Sequence, residues 1–263
     1  MHPAAALALA ALTLAACSRG RSEAVLREPD TASRLHVADT AAAAGQTEIA
    51  LSMYGAAAQS APDDIDVQAR YISLLIRAEK PEQAEQALAQ AMRRKPNDPT
   101  LRRWLGILRL ENGAAAEALQ IFDALLARKP RDVAALNGRG MALDLANQHD
   151  DAQLAYRAAL AESPSDTRTA NNLAVSLLLA GRPAEARAIL LPLTQQPDTP
   201  NRVLNNLAIA QAVAGDRAGS DARLAGHAGA SDIRALATAL GAAPAFDAGA
   251  DAKPASTGQQ PAG

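Results

Sequence analysis

The sequence predicts an all-α chain in which about six helix pairs stack into one continuous array. Three observations lead there. Pro62, Pro96, Pro130 and Pro164 stand 34 residues apart, and a fixed period of that length marks a helix–turn–helix repeat. Small residues recur at two points of the period: Ala38, Gly106, Gly140, Ala174 and Ala208 at one, Ala50, Ala84, Ala118, Ala152 and Ala186 at the other. Hydrophobic residues make up 49% of the 263 residues but aromatics only 2%. Alanine carries the difference; it is the best intrinsic helix former and lets helices approach closely.

The chain begins with an uncharged apolar run, residues 4–16, that ends at Cys17, the single cysteine. The run is too short to span a bilayer and has the length of a signal-peptide apolar region, so residues 1–16 are expected to be a signal peptide. Met1-His2-Pro3 lacks the basic residue usual at such a start. Leu14-Ala15-Ala16-Cys17 resembles the bacterial lipobox. That resemblance implies diacylation of the Cys17 thiol, cleavage before it and acylation of its new amine; one acyl chain anchors only weakly, whereas two or more hold firmly. Ser18 is not aspartate, which by the same resemblance implies the outer membrane, with the array facing the periplasm. The competing reading is a buried N-terminal helix ending in a cysteine by chance. Residues 17–30 then form the lipidated cysteine and a polar tether, whose thirteen residues after Cys17 reach roughly 45 Å when extended.

With each proline placed at position 32, the repeats are 31–64, 65–98, 99–132, 133–166, 167–200 and 201–230. Position 8 holds Ala38, Ile72, Gly106, Gly140, Ala174 and Ala208, position 20 a small residue throughout, and position 24 Tyr54, Leu88, Phe122, Tyr156, Leu190 and Leu224. Positions 8 and 20 are expected to face each other, where a large side chain would force the helix axes apart. Position 15 is Gly45, Gly113, Gly181 and Gly215, with Glu79 and Asn147 in the other two repeats; glycine there accepts the left-handed conformation that ends a helix. The proline at 32 stops the second helix. Position 4, with Arg34, Gln68, Arg102, Leu136, Ala170 and Leu204, predicts a thin core in the first half. The pattern resembles the tetratricopeptide-repeat (TPR) family, which implies a right-handed superhelix.

The fifth repeat ends on Pro197-Asp198-Thr199-Pro200, so its second helix is expected to stop a residue early. The sixth decays into Gly226, His227 and Gly229. Ser231-Asp232 is placed to cap a last helix, 231–241, whose Ile233, Leu236 and Leu240 share one face. Residues 242–263, rich in Ala, Gly, Pro and Gln, have little to bury and are expected to be disordered.

In the TPR family the concave wall comes from positions 2, 5, 9, 12 and 13 of each first helix. Carried onto this chain, the wall of the first two repeats is small, polar or charged, with Asp39, Ala42, Asp66, Ser73 and Arg77 and one exception, Ile76. In the later repeats position 9 becomes Ile107, Met141, Val175 and Ile209, and positions 12 and 13 add Leu110-Glu111, Asp144-Leu145, Leu178-Leu179 and Ala212-Val213. Arg103, Asn137, Asn171 and Asn205 stand at position 5, and Arg168 and Arg202 at position 2. An apolar strip edged by amides and arginines marks an interaction site. It suits a partner helix or an extended apolar segment. Two other readings stay open: the chain's own helix 231–240 fills the strip, or tight winding buries it. The asparagines also read as a solvated helix face.

Several classes are excluded. Net charge is −2, with neither a basic face nor the aromatics for base stacking, so no nucleic acid is expected. The four histidines share no ligand spacing, and no phosphate-cradling loop, HExxH or paired cysteine nucleophile appears. No enzyme activity, cofactor, metal or small-molecule substrate is therefore expected. Asp63-Asp64 and Asp150-Asp151 are placed at helix starts, where they complement the dipole.

The last two repeats carry a narrower resemblance. Ala180-Gly181-Arg182-Pro183-Ala184-Glu185-Ala186, Leu190-Leu191-Pro192-Leu193, Thr199-Pro200-Asn201-Arg202-Val203, Asn206-Leu207-Ala208 and Ala214-Gly215-Asp216-Arg217 look like the TadD-type lipoprotein of tight-adherence (Tad/Flp) pilus systems. The resemblance implies a role in pilus assembly, as a pilotin that helps the secretin assemble in the outer membrane. The partner is then the secretin or another pilus-assembly component. Lipid-anchored TPR scaffolds for peptidoglycan hydrolases, and structural parts of an outer-membrane assembly complex, are the alternatives.

Overall fold

The computed structural model describes residues 30–195, 199–225 and 229–242. The expected signal peptide, Cys17, the expected tether up to residue 29 and the expected disordered tail beyond 242 lie outside the described residues. Among those described, the elements are helices and no strand occurs. They are α1 (Thr31–Ala43), α2 (Thr47–Ser60), α3 (Ile65–Arg77), α4 (Pro81–Arg94), α5 (Pro99–Glu111), α6 (Ala115–Arg128), α7 (Val133–Leu145), α8 (His149–Glu162), α9 (Thr167–Leu179), α10 (Pro183–Leu193), α11 (Asn201–Val213), α12 (Arg217–Leu224) and α13 (Ala230–Ala242). Among the described residues, no helix is long and apolar enough to cross a membrane.

The chain divides into two compact bodies, Met1–Ala61 and Pro62–Gly263. In the first, α1 packs on α2, and the hydroxyl of the buried Tyr54 donates to Asp39. In the second, five pairs follow one another, and each of α5, α7, α9 and α11 also packs on the second helix before it.

Every first helix begins at the first residue of its predicted repeat and runs 13 residues. The starts have a chemical cause. Asp30, Asp64, Asp98, Asp132 and Asp166 stand at the N-caps, and each carboxylate accepts a backbone N–H of the first turn, at 2.8 Å from Ser33, 3.0 Å from Asp66, 2.9 Å from Thr100, 3.0 Å from Ala135 and 3.1 Å from Arg168. A cap of this kind stabilises by about 1 kcal/mol. The N–H of Ser33 holds the Asp30 carboxyl below its ordinary range. Only α11 lacks such a cap among the six, with Pro200 in its place. A start signal thus follows each proline stop signal by two residues. Asp150 and Asp151 lie in the first turn of α8, as expected, whereas Asp63 instead takes a bidentate pair from Arg94, at 2.6 and 2.8 Å.

The turn at position 15 has one conformation in all six repeats. Gly45, Gly113, Gly181 and Gly215 have φ of 72°, 73°, 71° and 90°, and Glu79 and Asn147 adopt 56° and 58°. The next residue then bonds back across the helix end, as from Lys80 N–H to Leu75 O at 3.0 Å, satisfying a carbonyl the helix leaves open. Glu79→Gly is expected to stabilise the chain by about 1 kcal/mol, the order of the left-handed penalty for an L-residue less the extra entropy of glycine in the unfolded chain. A urea midpoint that falls would reject this account of the turn.

Three expectations need correction. The first concerns the core, which rests on position 3, where Val67, Leu101, Ala135, Thr169 and Val203 are buried. Position 3 lies two turns before position 10, where Leu74, Leu108, Ala142, Ser176 and Ala210 are also buried, so both sit on one face. From the second repeat on, the polar residues at position 4 therefore do not thin the core, whereas in the first repeat positions 3 and 10 are the exposed Ser33 and Thr40. The second concerns position 8, which in the third and fourth repeats is limited by the ring at position 24. A Cβ on Gly106 would lie 2.7 Å from the Phe122 ring, and one on Gly140 2.5 Å from Tyr156. Ile72 is accommodated because its repeat carries Leu88 at position 24, a side chain with no ring. Gly138, which the repeat pattern does not single out, faces Phe122 from the next repeat, and a Cβ on it would lie 2.2 Å from the ring.

The third concerns the C-terminal end. α10 stops at Leu193, three residues short of the fourteen-residue α8, with Pro192 inside it; proline removes a donor and disfavours helix before it. α13 starts at Ala230, so Ser231 and Asp232 lie in its first turn and not at its cap. Its packed face is Ile233, Ala237 and Leu240, while Leu236 is exposed.

Candidate partner-binding face

The first helices α5, α7, α9 and α11 carry every partner-binding residue that the sequence singles out, and their positions fall into three groups. One is set apart by burial: Asn137, Asn171, Leu178 and Ile209. Arg103, Ile107, Leu110, Met141, Val175 and Asn205 are half-buried, and Leu145, Arg168 and Arg202 are exposed. Ile107 and Leu110 lean on the cluster around Phe122, and Met141 on the one around Tyr156. The accessible apolar surface is therefore narrower than the spacing implies. Its most open members are Leu145 and its equivalent one repeat later, Leu179, each 44% exposed.

The position-5 asparagines do not present themselves to solvent. Asn137 and Asn171 bond to the next repeat. Asn137 Oδ1 accepts from Asn172 Nδ2 at 3.1 Å, and Asn171 Oδ1 accepts from Asn206 Nδ2 at 2.9 Å. Position 5 of one first helix thus meets position 6 of the following one, forming an amide ladder across α7, α9 and α11. The Thr169 hydroxyl, which donates to Asp166 at 2.6 Å, lies 3.2 Å from Asn137 Oδ1. The pattern Asn-Asn at 171–172 and 205–206 was visible in the sequence; its pairing depends on how the helices stack.

Asp144, on the wall at position 12, is also committed internally. Its Oδ1 accepts from Ser176 Oγ at 2.7 Å and lies 2.8 Å from His149 Nδ1; its Oδ2 accepts from Tyr156 OH at 2.9 Å. One carboxylate so ties α7, α8 and α9. Burial, and then the negative charge of Asp144, push the Tyr156 phenol far above its ordinary range, which keeps it a donor. The serine does not bond the histidine ring, so no proton relay to a nucleophile is formed. Near the start of α7, burial raises the Asp132 carboxyl, but the Ala135 N–H and the charges of Lys129 and Arg103 outweigh it and leave it lowered. No group of side chains that could hold a metal occurs among the described residues.

At the C-terminal end, α13 packs on α11. Ile209 and Ala210 share one apolar cluster with Ala237, and Ile233 and Leu240 lie against it. The chain's own helix therefore covers the last repeat's share of the strip, and leaves Leu145 and Leu179 open.

Two family models described as tetratricopeptide repeat match the sequence, one over residues 72–133 and 117–166, the other over 145–208. Together they span just over half of the chain. No curated protein matches it significantly. Solved structures with a similar fold include a tetratricopeptide repeat protein from Parabacteroides merdae, at 15% identity and TM-score 0.62, covering 80% of this chain and 82% of that one. PilW, described as a widely conserved type IV pilus biogenesis factor, aligns at 18% identity and TM-score 0.59 over 74% and 90%. PilF of Pseudomonas aeruginosa aligns at 16% identity and TM-score 0.55 over 78% and 97%. At these identities the likeness is one of fold.

Proposed function

Because the chain belongs to the tetratricopeptide-repeat family, we propose that it is a lipid-anchored adaptor that holds a protein partner on its first helices, as a pilotin-like assembly factor for the secretin of a Tad/Flp pilus. The observation that carries the reading is the exposed pair Leu145 and Leu179 at the C-terminal ends of consecutive first helices, with the exposed Arg168 at the other end of α9. An apolar segment with an acidic group or a C-terminus would bury the leucines and pair the arginine. Two of the folds it resembles are PilF and a type IV pilus biogenesis factor, and the Tad-like run in the last two repeats points the same way. Acylation of Cys17 would hold the array at the outer membrane from the periplasmic side, raising the local concentration of a membrane partner.

The heat-resistant secretin multimer in outer-membrane fractions tests this. It is expected to vanish without the chain, with Cys17→Ala, and with Leu145→Glu combined with Leu179→Glu. The leucine pair is suited to the test because both are exposed; Leu178 is 5% exposed, so a charge there would report folding instead. A normal multimer in cells lacking the chain would overturn the pilotin reading.

One observation favours a second reading. Leu154 on the second helix α8 is 62% exposed. A component that docks into an envelope complex through its second helices would use it. Leu154→Glu should then abolish function while the Leu145 and Leu179 pair leaves it intact.

A further inference from the structure

The amide ladder has an open end. Asn137 and Asn171 each receive an amide from the next repeat, but Asn205 Oδ1, the next acceptor in the series, is buried and has no partner among the described residues. The donors Asn172 and Asn206 stand 34 residues apart, and the residue 34 further on is Leu240, which brings no donor. Leu240 belongs to α13, the helix that covers α11.

α13 fits this place poorly. It touches the cluster through Ile233, Ala237 and Leu240. Its ion pair to α12, Arg234 to Asp221 at 2.8 Å, is half exposed, and such pairs contribute little. A cleft of about 560 Å³ remains between α13, α12 and the end of α11, bordered on the α13 side by Arg234 and by the small residues Ala237, Thr238 and Gly241. A buried acceptor without a donor and an unfilled cleft both favour a different occupant.

We propose that α13 is a displaceable stand-in, and that the face of α11 docks an amphipathic helix of the protein partner. That helix carries an asparagine or glutamine amide to Asn205 Oδ1 and larger side chains into the cleft. The inference rests on the partner-binding reading above and names the chemistry of the partner. A tethered α13 competes at high effective concentration, so the site stays closed until a ligand with a clear advantage displaces it.

The test uses the full chain as a soluble Cys17→Ser protein, and the same protein with Ala237→Glu, which places a charge in the α13 contact. The probes are labelled peptides of residues 229–242, unaltered or with Leu240→Asn. The Ala237→Glu chain is expected to bind the asparagine peptide at least tenfold more tightly than the parent chain does. It should also bind that peptide more tightly than the unaltered one, and Asn205→Leu should remove the preference. Equal binding by parent and variant, no binding by a variant that melts like the parent, or no preference for asparagine would each overturn the proposal. If the variant does not fold, hydrogen exchange on the parent decides. α13 amides should exchange at least a hundredfold faster than those of α9, and equal protection would reject displacement. The secretin is not used, so these results stand or fall independently of the pilotin assay.

Discussion

Phe122→Ala is expected to lower the stability of the array by about 3–5 kcal/mol, the range for emptying a buried phenylalanine site. The ring is fully buried and lies between α5 and α7, against Gly106 and Gly138. The glycines are expected to respond with opposite sign in the two backgrounds. In the parent, Gly138→Ala forces a methyl to 2.2 Å from the ring, and overpacking of that kind costs roughly 1–3 kcal/mol. In the Phe122→Ala background the clash is gone, and alanine's helix propensity should return up to about 1 kcal/mol. Urea melts of the four proteins of this cycle measure the coupling. If Gly138→Ala has the same sign with and without the ring, the ring does not set the helix spacing.

Asp144→Ala should be the second large loss, about 3 kcal/mol. It strands the Tyr156 and Ser176 hydroxyls and the His149 ring nitrogen, and a buried polar group left without its partner costs roughly 1–3 kcal/mol. Tyr156→Phe removes one donor and leaves the carboxylate its other two contacts, so about 1 kcal/mol is expected. Thermal or urea unfolding of both variants decides the matter. Equal losses would mean that the carboxylate serves the tyrosine alone and does not tie three helices together. The raised Tyr156 phenol adds a spectroscopic check: in the folded chain it should not ionise alongside ordinary tyrosines when absorbance is followed into alkaline pH.

The two networks explain why the wall of the first helices was only partly legible in the sequence. Spacing places Asn137, Asp144 and Leu178 on the side of a helix that the family uses for binding, and each of them is spent inside the array. Arg168, Leu145 and Leu179 share that spacing and remain accessible. Adjacent positions on a helix are about 100° apart, so a small rotation of one repeat against the next decides whether position 5 meets solvent or the neighbour's position 6. Such a rotation leaves no mark in the period.

The period itself, the boundaries of the first helices and the left-handed turns were determined by the sequence alone. They rest on local chemistry: an aspartate that caps, a proline that stops, a residue at position 15 that reverses the chain. These effects act within one or two turns and need no neighbour to be read. The partners of the buried rings, the amide ladder with its open end at Asn205, and the docking of α13 on α11 were decided by tertiary structure. They join residues that sit 16 to 35 positions apart, as with Gly138 and Phe122 or Asn137 and Asn172. Only the packing of whole helices, which sums many weak contacts, brings such residues together.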